Sequence, residues 1–203
     1  HLTGADCIVV PAQNYGHDLP SMAAAITPET RIVFIANPNN PTGTLAPRAE
    51  VLELIDNTPD HALLVMDEAY FEFLDDPVDL LPLLRDKSNL LLMRTFSKIY
   101  GLAGLRVGYA IGHSEFVSEL EKIRQPFNVN ALAQAAALAA LEDGNHLEAT
   151  RANNSKGLKF FENALSEMGM ETVHSHANFI IVKVDDGEGI FRKLQKRGII
   201  TRP

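Results

Sequence analysis

Three clusters of polar residues each follow an apolar run in the middle of the sequence. They are Asn37–Gly43, Asp67–Tyr70 and Thr95–Lys98. Together they offer amides, two carboxylates, a phenol, hydroxyls and a lysine amine. Taken singly, such clusters are typical of turns, helix starts or surface loops. Their succession at the ends of three apolar runs instead indicates one shared site, because open α/β sheets bind ligands at the carboxyl ends of their strands.

This combination of side chains suits pyridoxal phosphate. A lysine amine can condense with its aldehyde, and a carboxylate opposite the ring nitrogen keeps that nitrogen protonated, so that the ring can accept electrons. A tyrosine and an asparagine can hydrogen-bond the 3-oxygen of the ring. Hydroxyls can hold the phosphate together with an arginine, which binds it in a bidentate fork. The residues that supply these groups are Lys98, Asp67, Tyr70, Asn40, Thr95, Ser97 and Arg106.

The residues around the clusters predict alternating strands and helices. Pro47 opens a helix over Arg48–Asn57, whose apolar residues recur on one side. Short apolar runs predict strands, and two of them are continuously apolar, as in strands that are buried on both faces. The predicted strands are Arg31–Ala36, Ala62–Met66, Asn89–Met93 and Leu105–Ile111. This alternation indicates an α/β fold with a mostly parallel sheet and helices on both of its faces.

The second half of the chain is predicted to be mainly helical. The predicted elements are helices over Glu115–Arg124, Ala131–Leu141 and Leu147–Met168, a strand over Phe179–Val184, a helix over Gly187–Arg197 and a strand from Ile199 onward. Arg151 and Asn154 interrupt the apolar stripe of the long helix and weaken its first half as a core face. We predict part of a large ligand-binding domain (residues 1–125), a helical connection (126–150) and part of a smaller α+β C-terminal domain (151–203).

Six motifs resemble the fold-type I aminotransferases, which are pyridoxal-phosphate enzymes, and within them the histidinol-phosphate aminotransferases. These motifs are Tyr15–Leu19, Asn37–Gly43, Met66–Tyr70, Arg94–Tyr109, Pro126–Asn130 and Ala177–Phe179. The most specific is RTFSKIYGLAGLRVGY, at residues 94–109. Its eight-residue step from Lys98 to Arg106 is the family's step from the lysine that binds the cofactor to the arginine that binds its phosphate. The resemblance implies the large domain of that fold, followed by part of the small domain.

The same resemblance implies a role for each matching residue. Lys98, Asp67 and Tyr70 would be catalytic. Asn40 and Tyr70 would contact the 3-oxygen of the cofactor, and Asp67 its pyridine nitrogen. The residues at its phosphate would be Thr95, Ser97 and Arg106. The resemblance also implies a cytoplasmic homodimer with active sites at the subunit interface. The expected reaction is transamination between L-histidinol phosphate and 2-oxoglutarate in histidine biosynthesis.

The family also has segments that no residue of this sequence matches. One precedes residue 1 and carries a Gly-rich helix start at the phosphate and an aromatic residue that stacks on the ring. The other follows Pro203 and carries an arginine for a substrate carboxylate. We therefore expect an internal fragment that is weak or inactive alone. Two alternatives stay open: a related enzyme, either an aromatic or broad-specificity aminotransferase or a threonine-phosphate decarboxylase, and a non-catalytic binding or dimerising module.

Composition and charge argue against several other classes. The 203 residues carry 18 basic and 26 acidic side chains, a formal net charge of −8, which makes nucleic acids and anionic membranes unsuitable partners. The most apolar stretch, residues 131–141, is too short to cross a membrane, and His1–Asp6 show no signal-peptide pattern. The single cysteine, Cys7, fits a reducing compartment. His174 and His176 lack a third ligand, so no metal site is predicted.

Overall fold

The computed structural model describes residues 4–203; residues 1–3, which belong to the stretch considered for a signal peptide, lie outside the described residues. The centre of the fold is a four-stranded sheet with its strands in chain order. They are β1 (Ile32–Ala36), β2 (Leu63–Asp67), β3 (Leu90–Thr95) and β4 (Gly108–Gly112). The first three are parallel, and β4 runs antiparallel to β3. The predicted α/β fold with a mostly parallel sheet is confirmed.

The strands differ in how closely they follow the apolar runs. In β2 three consecutive residues are buried, as expected for a strand inside a sheet with both faces covered. The last strand is shorter than the predicted strand Leu105–Ile111. Residues Ala103–Leu105 form a 3-10 turn, and Arg106 then adopts a left-handed backbone conformation with φ 53° and ψ 56°. An extended strand cannot pass through that conformation, so β4 begins only at Gly108.

One face of the sheet packs on two helices, α1 (Leu19–Ala24) and α2 (Arg48–Asn57). The residues of this core are Leu19, Val33, Ile35, Val51, Leu54, Ile55, Leu64, Met66, Leu80, Leu90 and Leu92. Burying each large aliphatic side chain stabilises the fold by about 1.5–3 kcal/mol relative to its exposure. The helix α2 has the predicted bounds, with Pro47 at its N-cap.

The expected helical cover of both faces is not found at β1. Successive side chains of a strand point to opposite faces, so Ile32 and Phe34 lie opposite the core, where they are 61% and 51% exposed. In residues 4–203, the connection from β2 to β3 contains two 3-10 turns, Phe71–Phe73 and Leu81–Arg85, and no α-helix. This crossover therefore supplies no helix to the open face.

The second half of the chain contains four helices and a short hairpin. The elements are α3 (Ser114–Ile123), α4 (Ala131–Glu142), α5 (Gly144–Glu167), β5 (Thr172–Val173), β6 (Ile181–Val182) and α6 (Gly187–Gln195). Asn130, Asp143 and Asp186 cap the starts of α4, α5 and α6, each accepting a backbone N–H three residues on. Such caps satisfy donors that have no partner within the helix.

Two strand predictions in this half need correction. The predicted strand Phe179–Val184 is reduced to β6, which pairs with β5 over two residues. The segment from Ile199 onward forms no strand, because no neighbouring strand of residues 4–203 pairs with it. No helix in that same range has both the length and the apolar composition needed to span a membrane.

Candidate active site

The carboxyl ends of β2 and β3 border an open cleft of about 700 Å³. The two strands are parallel neighbours, with Asp67 opposite Met93 in the register, so the polar residues that follow them meet at the same edge. The predicted site residues that line this cleft are Asp67, Thr95, Ser97, Lys98 and Arg106. The structure therefore brings an acid, an amine, two hydroxyls and a guanidinium around one space.

The other two predicted residues join this cleft through Tyr70. The amide Nδ2 of Asn40 donates a hydrogen bond of 3.1 Å to the Tyr70 hydroxyl. The Nζ of Lys98 lies 5.1 Å from the centroid of the Tyr70 ring. Because Tyr70 is only 3% exposed, its ring is held by packing while its hydroxyl faces Asn40. All seven predicted residues are thus in one neighbourhood.

The end of the cleft at Arg106 carries groups that can bind an anion, namely two hydroxyls and a guanidinium. Thr95 Oγ1 accepts a 3.0 Å hydrogen bond from the backbone N–H of Ser97, which orients the Thr95 hydroxyl toward the turn that carries Ser97. Arg106 donates from Nη1 to Ser97 Oγ at 3.5 Å and to the carbonyl of Ala103 at 2.7 Å. Its left-handed backbone conformation costs on the order of 1–2 kcal/mol for a residue other than glycine, and such strain is concentrated at ligand sites.

The carboxylate of Asp67 has acceptor capacity left for a ligand. Its Oδ1 accepts a 3.1 Å hydrogen bond from the backbone N–H of Ala69, which orients the group at the end of β2. An ionised carboxylate offers about four acceptor positions. A protonated nitrogen in the cleft could therefore donate to Asp67 without displacing this bond.

A buried ion pair that no sequence motif predicted lies at the wall of the cleft, which Arg94 also lines. Arg94 Nε donates to Glu68 Oε2 at 2.8 Å, with side chains only 11% and 4% exposed. The guanidinium also lies 3.7 Å from the centroid of the Phe71 ring. Burial raises the pKa of Glu68, although the neighbouring Arg94 guanidinium opposes this shift. The pair connects the end of β2 to the end of β3.

The only indication of this ion pair in the sequence was the position of its two residues near the ends of the predicted strands. Glu68 belongs to the polar cluster Asp67–Tyr70, and Arg94 directly precedes the cluster Thr95–Lys98. Two further contacts were also missed: the Phe179 and Tyr70 rings form a T-shaped pair at a centroid distance of 5.4 Å, and the Ser175 side chain packs against Gly43. Within residues 4–203, no group of three or more His, Cys, Asp or Glu could hold a metal ion.

Comparison with known proteins gives consistent matches along the whole chain. Residues 1–203 match the family described as "Aminotransferase class I and II". A histidinol-phosphate aminotransferase from Akkermansia muciniphila is 49% identical over 202 residues, 99% of this chain and 56% of the relative. The chain spans about half the length of the curated relatives it matches.

Two solved structures have a fold similar to that of this chain. The crystal structure of histidinol-phosphate aminotransferase from Sinorhizobium meliloti in complex with pyridoxal-5'-phosphate matches with a TM-score of 0.90 and 32% identity, over 96% of this chain and 55% of that one. An L-threonine-O-3-phosphate decarboxylase from Porphyromonas gingivalis matches with a TM-score of 0.75 and 26% identity, over 87% of this chain and 55% of that one.

Proposed function

Because the chain belongs to the class I and II aminotransferases, we propose that it is the cofactor-binding part of a histidinol-phosphate aminotransferase. The whole protein would exchange the amino group between L-histidinol phosphate and 2-oxoglutarate, giving imidazole acetol phosphate and glutamate, in histidine biosynthesis. The 49% identity to the Akkermansia muciniphila enzyme supports this substrate pair. The observation that carries the proposal is the convergence of Lys98, Asp67 and Arg106 on one cleft.

The donor set of the cleft fits pyridoxal phosphate. Its volume of about 700 Å³ is within the usual range for small-molecule sites, roughly 300–1,000 Å³. Lys98 would bind the aldehyde carbon and Asp67 the ring nitrogen, and the hydrogen-bonded pair Asn40 and Tyr70 would bind the 3-oxygen. The groups that would hold the phosphate are Thr95, Ser97 and Arg106. A guanidinium with two hydroxyls complements a dianion by charge and by hydrogen bonding.

The reaction divides among residues of this chain. When bound, pyridoxal phosphate supplies an electron-accepting ring for the electrons released at the substrate α-carbon. The Lys98 amine would act as the general base that takes the proton from the substrate α-carbon, and then as the general acid that delivers it to the former aldehyde carbon of the cofactor. Asp67 would keep a proton on the ring nitrogen. By holding this positive charge in place, Asp67 stabilises the negative charge that develops at the substrate α-carbon in the transition state. Arg106 orients the ligand by its phosphate, and Tyr70 and Asn40 by its 3-oxygen.

Absorbance of the whole protein with pyridoxal phosphate tests the cofactor assignment. We expect a visible band in the wild type, and we expect Lys98→Ala to lose both this band and transamination. Lys156→Ala, which alters an exposed lysine of α5, is the control and should keep both. An unchanged band in Lys98→Ala would exclude the assignment, and no band in the wild type would favour a non-catalytic module.

Initial rates of the whole protein with different amino donors identify its substrate. We expect the highest kcat/KM with L-histidinol phosphate and 2-oxoglutarate, and lower values with phenylalanine. Release of carbon dioxide from threonine phosphate would instead identify the decarboxylase, an alternative supported by the similarity to the Porphyromonas gingivalis fold. The two phosphate substrates separate these enzymes because L-histidinol phosphate has no carboxyl group to lose, whereas the decarboxylase releases the carboxyl carbon of threonine phosphate.

The proposal extends to assembly, location and domains. Exposed apolar side chains on and between α3 and α4, including Ile123, Phe127 and Leu132 at 79%, 97% and 77% exposure, support a homodimer. The exposed free thiol of Cys7 is compatible with the cytoplasm. We keep the division into residues 1–125, 126–150 and 151–203 as a proposal; its second boundary falls inside α5, which runs unbroken from Gly144 to Glu167.

A further inference from the structure

The first half of α5 directs three polar side chains at three separate segments of the chain. His146 Nε2 lies 3.2 Å from the carbonyl oxygen of Ile99. Arg151 Nε donates to the carbonyl of Glu72 at 2.8 Å, and Asn154 Nδ2 donates to the carbonyl of Ala177 at 2.9 Å. At about 100° per residue, the three side chains fall within an arc of about 140°. They therefore form one polar face, which we call the α5 polar face.

Two of the accepting carbonyls stand next to proposed catalytic residues. Ile99 directly follows Lys98 and is 1% exposed, so the bond from His146 reaches the backbone that carries the lysine. Glu72 lies in the 3-10 turn that follows Tyr70, so the bond from Arg151 reaches the backbone beside the tyrosine. A hydrogen bond with a charged donor is about twice as strong as one between neutral groups. The hydrogen bond from Arg151 is therefore expected to be the strongest of the three.

The third carbonyl belongs to a segment that reaches the site from the other half of the chain. This segment, Ser175–Phe179, is named the strap. Its Ala177 is fully buried, and the backbone N–H of His176 donates to the carbonyl of Gly43 at 2.7 Å. Phe179, at its end, forms a T-shaped pair with the Tyr70 ring, with 82° between the ring planes. Asn154 thus holds the strap, and the strap packs against Tyr70.

We propose that His146, Arg151 and Asn154 are positioning residues that hold Lys98 and Tyr70 in place for the reaction. This inference rests on the proposed function. It accounts for the polar residues that interrupt the apolar stripe of α5, since each donates to a backbone carbonyl beside the site. A small displacement of a catalytic group costs much of the rate, so loss of these bonds slows turnover without removing any group that touches the substrate.

The pH dependence of cofactor absorbance separates positioning from general stability. Hydrogen bonds from Tyr70 and Asn40 to the 3-oxygen favour the unprotonated form of the Lys98–cofactor linkage, so a displaced Tyr70 raises its midpoint. In the whole protein, we expect Arg151→Met and Asn154→Ala to raise this midpoint by roughly half a pH unit. We also expect them to lower kcat on the order of tenfold, with KM nearly unchanged.

Two matched variants serve as controls. Asn153→Ala makes the same change one residue away, at an exposed position of α5, and should behave as the wild type. Arg151→Lys keeps a cationic donor and should restore part of kcat. In the cofactor-free protein, amide hydrogen exchange over residues 70–74 should be faster in Arg151→Met than in Asn153→Ala.

The outcomes distinguish this inference from the proposed function. If the wild type shows no cofactor band, the proposed function fails, and the exchange rates still test whether the α5 polar face holds the Tyr70 segment. If the band is present and Asn154→Ala has the midpoint and kcat of Asn153→Ala, the inference is overturned. If Arg151→Met does not fold, Asn154→Ala and Arg151→Lys carry the same measurement.

Discussion

Asp67 and Lys98 show how side chains from different strand ends share one site. The carboxylate stands at the last residue of β2, and the amine stands three residues beyond the end of β3. Because both line the same cleft, a ring placed between them would have a base near its reacting carbon and an acid near its nitrogen. That separation is what transamination requires, since the proton and the electrons leave the substrate carbon in different directions.

The first prediction concerns the charge of Asp67. Asp67→Ala should keep the cofactor bound, because Lys98 and Arg106 remain, but should slow proton abstraction by on the order of 100-fold or more. Single-turnover measurements with L-histidinol phosphate report that step directly. Asp60→Ala, at an exposed position, is the control and should react at the wild-type rate. A near-normal single-turnover rate in Asp67→Ala would contradict the role given to this carboxylate.

The second prediction concerns pH and the buried carboxyl of Glu72. Burial raises its pKa above the usual value of 4.5, although nearby arginines oppose the shift, and its Oε1 is buried without a hydrogen-bond partner. A raised pKa in the folded state favours the protonated form. The stabilising contribution of this group is therefore complete below about pH 4.5 and is lost as the pH rises through the raised pKa.

Glu72→Gln removes this titration. The melting temperature of the variant, relative to that of the wild type, should rise between pH 4 and pH 8. Glu53→Gln changes an exposed glutamate of α2, and its difference from the wild type should stay nearly constant over the same range. A relative melting temperature of Glu72→Gln that fell with increasing pH would reverse the assigned direction.

At the level of elements, the loop after β1 and the strap are fitted to each other. Gly43 has φ +77°, and a Cβ at this position would collide with the Ser175 side chain. The loop also carries Asn40, which donates to Tyr70. The same short loop therefore contacts the strap through Gly43 and the cleft residue Tyr70 through Asn40. A change in how the strap packs on Gly43 should also move Asn40.

The third prediction tests this fit. Gly43→Ala should lower the free energy of unfolding by about 1–3 kcal/mol, from the left-handed backbone and from overpacking against Ser175. It should also lower kcat/KM. Gly157→Ala, where an added Cβ meets nothing within 4 Å, should instead stabilise α5 by about 0.5–1 kcal/mol. Equal effects of the two substitutions in chemical denaturation would refute the fit between loop and strap.

For the whole molecule, exposed apolar surface is the main structural indication of assembly. Phe127 is 97% exposed, and Ile123 and Leu132, on the helices that flank it, are exposed almost as fully. Large apolar side chains gathered on one part of a surface mark an interaction site, because isolated soluble proteins leave few such patches in water. A second copy of the whole protein is the partner we propose for this surface.

The fourth prediction addresses this assembly. Phe127→Asp should raise the dimer dissociation constant of the whole protein by about tenfold or more, because an aromatic anchor would be replaced by an unpaired charge. Sedimentation velocity over a range of concentrations measures this change. Lys156→Asp also adds a negative charge at an exposed position and should leave the constant close to that of the wild type. An unchanged dissociation constant in Phe127→Asp would place the interface elsewhere.

The sequence by itself determined the family, the α/β fold class and most of the elements. The helix Arg48–Asn57 and the parallel strands follow from local periodicity and from turn residues, which act over a few neighbouring positions. The motif from Lys98 to Arg106 is likewise local. The predicted site residues lie together in the structure because parallel strands bring their carboxyl ends to one edge, which is a property of the fold class.

Only the tertiary structure decided which distant side chains meet. Glu68 and Arg94 form their ion pair across 26 residues of sequence, and Arg151 reaches Glu72 across 79. The strap reaches Gly43 and Tyr70 from the other half of the chain. These contacts depend on strand register and on where α5 packs against the 3-10 turn after β2, and no local pattern encodes either. For the same reason the strand expected from Ile199 did not form: an apolar run becomes a strand only where a neighbour pairs with it.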